Sequence, residues 1–471
     1  MGDGHNSGPP KLNQAVIDRY RCPERLVTIA LAGELSTDMG YFRFGPDVTC
    51  YGKSSVGFRA AQAGDELFDT MQGVRISGST VNLPFSPTEV INNLRCERFS
   101  AHLRIHCRSG NLNPLLRRAY YFVRPLLPVS IRKHLQTVPL RNWQELVFPN
   151  WPVDFTVDNL LEKLVMLSLK TQKITELPFI WFWPDNSPSC LVMTHDVETK
   201  TGVELCPWLV ETNERFGINA SFQFIPEKRY AAPHALMESI RKRGFEIGIH
   251  DLNHDGDLFL NRDKFVRRAE KINRYGREYG ARGFRSGAMY RNQDWYDALD
   301  FQYDMSVPNV AHLDPQRGGC CTVMPYFIGK ILELPVTLIQ DYQLFNFMND
   351  YSIDLWKRQI ELIMERHGLI HFITHPDYMV CERARKTYIQ LLQHISRLRD
   401  ERKIWMARPQ DVNDWWRQRA LMSLTMREGR WTISGLDSER ARICYASMRN
   451  DRLAYGSQPQ AERGPDVADI A

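Results

Sequence analysis

The stretch CLVMTHDVE, residues 190–198, runs an apolar segment into three ionisable side chains, His195, Asp196 and Glu198. In an extended chain, residues two apart face the same side and neighbours face opposite sides. Asp196 and Glu198 can therefore point together into one mouth while His195 points into the layer behind. Farther along, His250 and His254 form H-x-x-x-H. On one helical turn both imidazoles would face the same side and present two nitrogens to a metal. A carboxylate from another strand end supplies the third ligand, leaving positions open for water and substrate. Such a metal lowers the pKa of bound water and polarises a carbonyl. On this reading Glu198 joins His250 and His254 as a ligand, and Asp196 acts as general base. The alternative puts Asp196 on the metal and makes His195 the base, or a hydrogen-bonded neighbour of the site.

Other polar residues stand at the ends of apolar runs. His375, in GLIHFITHP, suits a general acid that protonates a leaving amine. It is expected across a closed barrel from Asp196. Arg285 can hold Asp196 ionised by a charge-assisted contact. Asp304 can orient His375 through the ring's other nitrogen, or else brace its own strand.

The elements that must position these residues lie between about 186 and 409. Strand-like runs recur there: CLVMTHD, ASFQFIP, FEIGIH, GFRSGAMY, YDMSVP, ILELPVT, GLIHFITHP and IWMARP. Helix-like segments separate them, among them PHALMESIRKRG, RDKFVRRAEKINRYGREYG and IDLWKRQIELIMERHG. Gly244, Gly280 and Gly368 fall just past helical segments, where a left-handed cap is wanted. Alternating β and α predicts a parallel sheet, and about eight strands favour a barrel over an open doubly wound sheet. The C-terminal strand ends of such a barrel share one rim, which hosts the chemistry.

Five ordered segments, THDVE, HDLNH, GFRSGAMY, YDMSV and FITHP, resemble the motifs of the polysaccharide deacetylase family. This is the nodulation-factor deacetylase homology domain, carbohydrate esterase family four. The resemblance covers residues 186–409. It implies an irregular (β/α) parallel barrel and removal of an acetyl group from a sugar with the help of a divalent metal, zinc first among the candidates. It matches Asp196 to the base, Glu198 to a ligand position that is Asp in the family, His250 and His254 to the histidine ligands, Arg285 to the arginine near the base and His375 to the acid. Glu198 is one methylene longer than Asp. The Arg-x-Pro usual in the third motif is replaced by Arg285 followed by Ser286, Gly287 and Ala288, which reshapes the groove. Some relatives with an Asp-Val-Glu first motif resemble cyclic-amide hydrolases that act without this metal arrangement. Such a hydrolase, and an inactive glycan-binding barrel, are the alternatives. For a sugar substrate, Trp208, Tyr290, Trp295, Tyr342 and Tyr378 fall in or near rim loops, and one or two of them could stack on a ring.

The remainder of the 471 residues is less specific. Residues 1–24 read as a flexible lead, 25–110 as a β-rich domain, 111–177 as a basic helical connector and 178–412 as the barrel. Residues 413–456 read as a small β extension, with a helix over 415–426, and 457–471 as a disordered tail. The segment 114–143 interleaves six Arg and Lys with apolar residues and holds no acidic one. It reads as connector helices broken at Pro125 and Pro128, or as a peripheral contact with an anionic membrane. Composition is that of a globular protein, 43% apolar and 24% charged. A net charge of +5 argues against a nucleic-acid partner. The ten cysteines show no C-x-x-C pair and read as reduced thiols. The first residues lack a signal-peptide pattern, so a cytoplasmic protein is expected, at most peripheral to the membrane. A lipid-linked glycan precursor, as in exopolysaccharide biosynthesis, then fits better as the acetylated sugar than a finished cell-wall polymer does.

Overall fold

The computed structural model describes residues 11–100 and 142–459. The basic stretch 114–143 therefore lies outside the described residues except for its last two, as does most of the expected tail. The described residues form two compact units. One holds the described residues of Met1–Arg95, Thr156–Asn186 and Arg417–Ala471, the other those of Cys96–Phe155 and Ser187–Trp416.

The candidate site belongs to the second unit. Its sheet holds the strands β1 (Cys190–Val197), β2 (Ala220–Phe224), β3 (Glu246–His250), β4 (Gly283–Arg285), β5 (Tyr303–Asp304), β6 (Tyr326–Ile328), β7 (Ile331–Glu333), β8 (Leu369–Thr374) and β9 (Trp405–Ala407). The order is β6-β7-β5-β4-β3-β2-β1-β8, with β9 also on β1. Every pairing is parallel except β6 with β7. Every residue of β1, β2, β3 and β8 is buried. This is why these strands read as continuous apolar runs, since parallel strands are covered on both faces.

Helices α1 (Lys200–Arg215), α2 (His234–Lys242), α3 (Arg262–Glu278), α4 (Asp354–Met364) and α5 (Glu382–Arg402) supply the cover. Leu209, Ile240, Phe265, Ile360 and Leu391 from these helices join Phe222, Ile247 and Phe372 of the sheet in one core. Among the described residues no ladder joins β8 to the far end of the sheet. Thr337 spans that interval through its side chain instead, its Oγ1 donating to Leu369 O (2.7 Å) and accepting from His371 N (2.9 Å). Gly244 and Gly280 have the left-handed φ expected of caps, +85° and +57°. Gly368 does not. His367, at φ +55°, makes the reversal one residue earlier.

The first unit carries short strands. Ile29–Leu31, Thr80–Leu83 and Arg75–Ser77 form one sheet, and Glu176–Ile180, Ile443–Arg449 and Arg452–Gly456 another. The segment expected to be a flexible lead contains a helix at Gln14–Tyr20, anchored by the buried Val16 and Tyr20. The helix expected over 415–426 instead spans Pro409–Leu421, and Ser423–Arg427 is a strand. No helix among the described residues is long and apolar enough to cross a membrane.

Candidate active site

β1 delivers Asp196 near its C-terminal end, and Glu198 stands one residue beyond it. The alternation places His195 on the other face. There His195 Nε2 accepts from Asn213 Nδ2 (2.8 Å) and Nδ1 lies 2.7 Å from Thr374 Oγ1, so both ring nitrogens are engaged away from the mouth. Burial lowers its pKa to about 3.

His250 ends β3, but His254 is not on a helix with it, as the spacing suggested. The chain bends instead through Asp251 (φ +58°) and His254 (φ +52°), conformations that Asp and His tolerate better than most residues. The bend sets the two rings 5.0 Å apart at 63°. Arg229 fixes the second ring from outside, reaching its carbonyl oxygen (2.6 Å) and Nδ1 (3.2 Å). Gly287 makes room on the other side, because a Cβ there would lie 2.5 Å from Asp251 Oδ2 and 2.9 Å from His254 Cδ2.

Glu198 faces both imidazoles. Its Oε1 lies 3.0 Å from His254 Nε2 and 3.8 Å from His250 Nε2. One ligand atom from each of the three residues lies within 4.8 Å of the others. Both Nε2 atoms are buried and turn toward carboxylates, that of His254 to Glu198 and that of His250 to Glu198 and Asp196. Two buried imidazole nitrogens converging on a carboxylate are the donor set that a divalent cation satisfies, so the residues fit such an ion. Burial would raise the Glu198 pKa, but His254 and His250 outweigh it and hold the carboxyl well below its usual range.

Asp196 sits beside this group, with Oδ2 3.9 Å from His250 Nε2. Its Oδ1 accepts from the buried Arg285 at 3.2 Å. Burial opposes its charge, and Arg285, then His250 and His375, together outweigh it, leaving its pKa lowered. Sequence reasoning did not find the next link. Arg285 also donates to His371 Nε2 (3.0 Å), and His371 Nδ1 donates to Leu334 O (3.1 Å). A neutral imidazole thus anchors the guanidinium without competing for its charge.

His375 is not across the sheet from Asp196. β8 pairs directly with β1, Thr374 opposite His195, because the last crossover returns beside the first strand. His375 Nε2 therefore lies 3.8 Å from Glu198 Oε1. Its partner is not Asp304. The Asp304 carboxylate accepts from Tyr296 OH (2.9 Å), Ser306 N (2.9 Å) and Ser306 Oγ (2.8 Å), bracing the end of its own strand. Asp341 takes the expected part. It accepts Nδ1–H of His375 at 2.7 Å and the His375 backbone N–H at 2.7 Å. Burial disfavours the imidazolium, but Asp341, then Glu198 and Asp196, raise its pKa to about 10. The signal for Asp341 was slight, a lone acidic residue after an apolar run, at the start of the helical turn that leads into Gln343–Phe347.

Two of the five rim aromatics stand at His375. Tyr378 meets its ring edge-on at 5.3 Å and stacks on Tyr342 at 6.1 Å and 27°. Trp295 stacks on Phe259, and Trp208 packs against Tyr388. Tyr290 follows the turn Gly287–Met289.

No protein-family model matches the chain, and neither does any curated protein. Among solved structures it is similar to a Mycobacterium smegmatis protein described as a polysaccharide deacetylase. That match has 19% identity over 53% of this chain and 98% of the other, with a TM-score of 0.41. A second is the Xyl-CE4 domain of a multidomain xylanase from the hindgut metagenome of Trinervitermes trinervoides, with 13% identity, 49% and 91% coverage, and TM-score 0.32. A third is PuuE allantoinase, with 10% identity, 50% and 92% coverage, and TM-score 0.38.

Proposed function

We propose that the chain is a metal-dependent hydrolase that removes the acetyl group from an N-acetylated sugar. The observation that carries this reading is the gathering of Glu198, His250 and His254 between a carboxylate paired with arginine and a histidine anchored by aspartate. Glu198, His250 and His254 would hold a divalent cation, zinc first, which supplies Lewis-acid activation of water and of the acetyl carbonyl. Asp196 takes the proton of the attacking water on Oδ2, the oxygen that Arg285 leaves free. Arg285, held in turn by His371, keeps that carboxylate ionised. His375 gives the proton on Nε2 to the departing amine, while Asp341 holds Nδ1–H and so fixes the ring. Tyr342 and Tyr378 offer flat faces beside His375 against which a sugar ring packs. A lipid-linked glycan precursor is the form of substrate that a basic 114–143 stretch at a membrane surface would serve.

The test pairs metal content with acetate release from N-acetylated oligosaccharides. We expect about one divalent ion per chain in the wild type. Glu198→Ala and His250→Ala should lose the ion and the acetate release together. Full metal in Glu198→Ala would move the ligand role to Asp196. A wild type that takes no ion after reconstitution yet opens a cyclic amide would replace this reading.

A further inference from the structure

Asp377 stands two residues after His375, and its carboxylate turns onto the loop that follows β1. Its Oδ2 accepts the backbone N–H of Glu198 at 3.1 Å, and its Oδ1 accepts the hydroxyl of Thr199. Thr199 is the N-cap of α1, its Oγ1 accepting from Gly202 N at 3.3 Å. The carboxylate fits because residue 202 has no side chain. A Cβ there would lie 2.5 Å from Asp377 Oδ2 and 2.8 Å from its Cγ. Glycine inside a helix costs about 1 kcal/mol relative to alanine, and Gly202 has no left-handed φ that would require it. Its place in the first turn of α1 answers the close approach of Asp377.

We propose that Asp377 is the positioning residue for Glu198, and that Gly202 provides the space for it. Asp377 clamps the backbone of the turn after β1, so that the Glu198 carboxylate meets the two imidazoles from a fixed point. The clamp also ties the loop of the candidate ligand to the loop of the candidate acid. This inference rests on the metal-holding role proposed for Glu198.

The test is zinc affinity of the full chain, by competition with a chromophoric chelator, with thermal midpoints measured alongside. Asp377→Ala and Gly202→Ala should each weaken zinc binding by roughly 10–100-fold. Asp377→Asn should restore most of it. Its amide oxygen accepts the Glu198 N–H, and the Thr199 hydroxyl can accept from the amide instead of donating. The double variant Asp377→Ala/Gly202→Ala should bind no more weakly than Asp377→Ala, because both changes remove one clamp. If Gly202→Ala does not fold, the Asp377 pair carries the comparison. Lowered midpoints with unchanged zinc affinity would overturn the proposal by reducing Asp377 to a brace of the fold. Additive losses in the double variant would overturn the part assigned to Gly202. A wild type that binds neither zinc nor another divalent ion would overturn the metal reading and this inference together, whereas a wild type that binds zinc with Asp377→Ala unchanged would overturn this inference alone.

Discussion

The proton on His375 Nε2 can be delivered in one direction only while the other ring nitrogen is held, and Asp341 holds it at 2.7 Å. Asp341→Asn keeps an acceptor in place but removes the charge that favours the imidazolium. Turnover should then fall on the order of 100-fold, while metal content stays that of the wild type. Asp304→Asn is the matching control. Asp304 is fully buried and engaged by Tyr296 and Ser306, so its replacement should leave turnover unchanged and lower stability by roughly 1–3 kcal/mol. Steady-state kinetics and urea unfolding of both variants check the pair. Equal losses of turnover would mean that the two carboxylates act as one network.

At the scale of elements, legibility follows periodicity. Strands β1, β2, β3 and β8 are apolar runs because both of their faces are covered, and each was readable as such. Asp196 and Glu198 were separable from His195 because strand alternation is strict. The bend between His250 and His254 was not readable, since H-x-x-x-H fits a helical turn as well as a turn with two left-handed residues. Asp341 opens a short helical turn ahead of Gln343–Phe347, with no repeating pattern to mark it. The helix at Pro409–Leu421 began earlier than its apolar content suggested, with a proline in the first helical position.

The loop after β4 makes a prediction at this scale. Ala288 adopts φ +55° and ψ +24°, a left-handed conformation that costs an L-residue about 1–2 kcal/mol. Glycine escapes that cost and adds about 0.5–1 kcal/mol of chain entropy to folding. Ala288→Gly should therefore raise the urea midpoint modestly with an unchanged m value. A lowered midpoint would show that the loop carries no strain at Ala288.

Across the second unit as a whole, buried titratable groups shape the pH dependence of stability. Burial lowers the pKa of His195 and His371 to about 3 and that of His312 to about 4. These rings stay neutral in the fold but take up protons in the unfolded chain below about 6.5. Their contribution is present above that pH and is lost as pH falls toward 4 and 3. Burial raises Glu246 and Asp314 to about 7, so their contribution runs the other way and is lost as pH rises from about 4 to 7. Glu333, far above its usual range, and Asp377 are raised by burial as well, so between about 4.5 and 6.5 the histidines and the carboxyls oppose one another. Above 6.5 the histidines add nothing more, and His375 takes over. Its pKa, raised to about 10, gives stability that is fully present below about 6.5 and is lost as pH climbs toward 10. Stability of the metal-free protein should therefore change little between about pH 4.5 and 6.5 and decline on both sides. His375→Gln should flatten the alkaline limb between pH 7 and 9 while leaving the acid limb in place. Glu246→Gln should gain on the wild type as pH rises from 4.5 to 7. Urea midpoints measured every half pH unit in chelator would decide it. An alkaline limb that persists in His375→Gln would place its origin in other raised groups, His254 and Glu333 first.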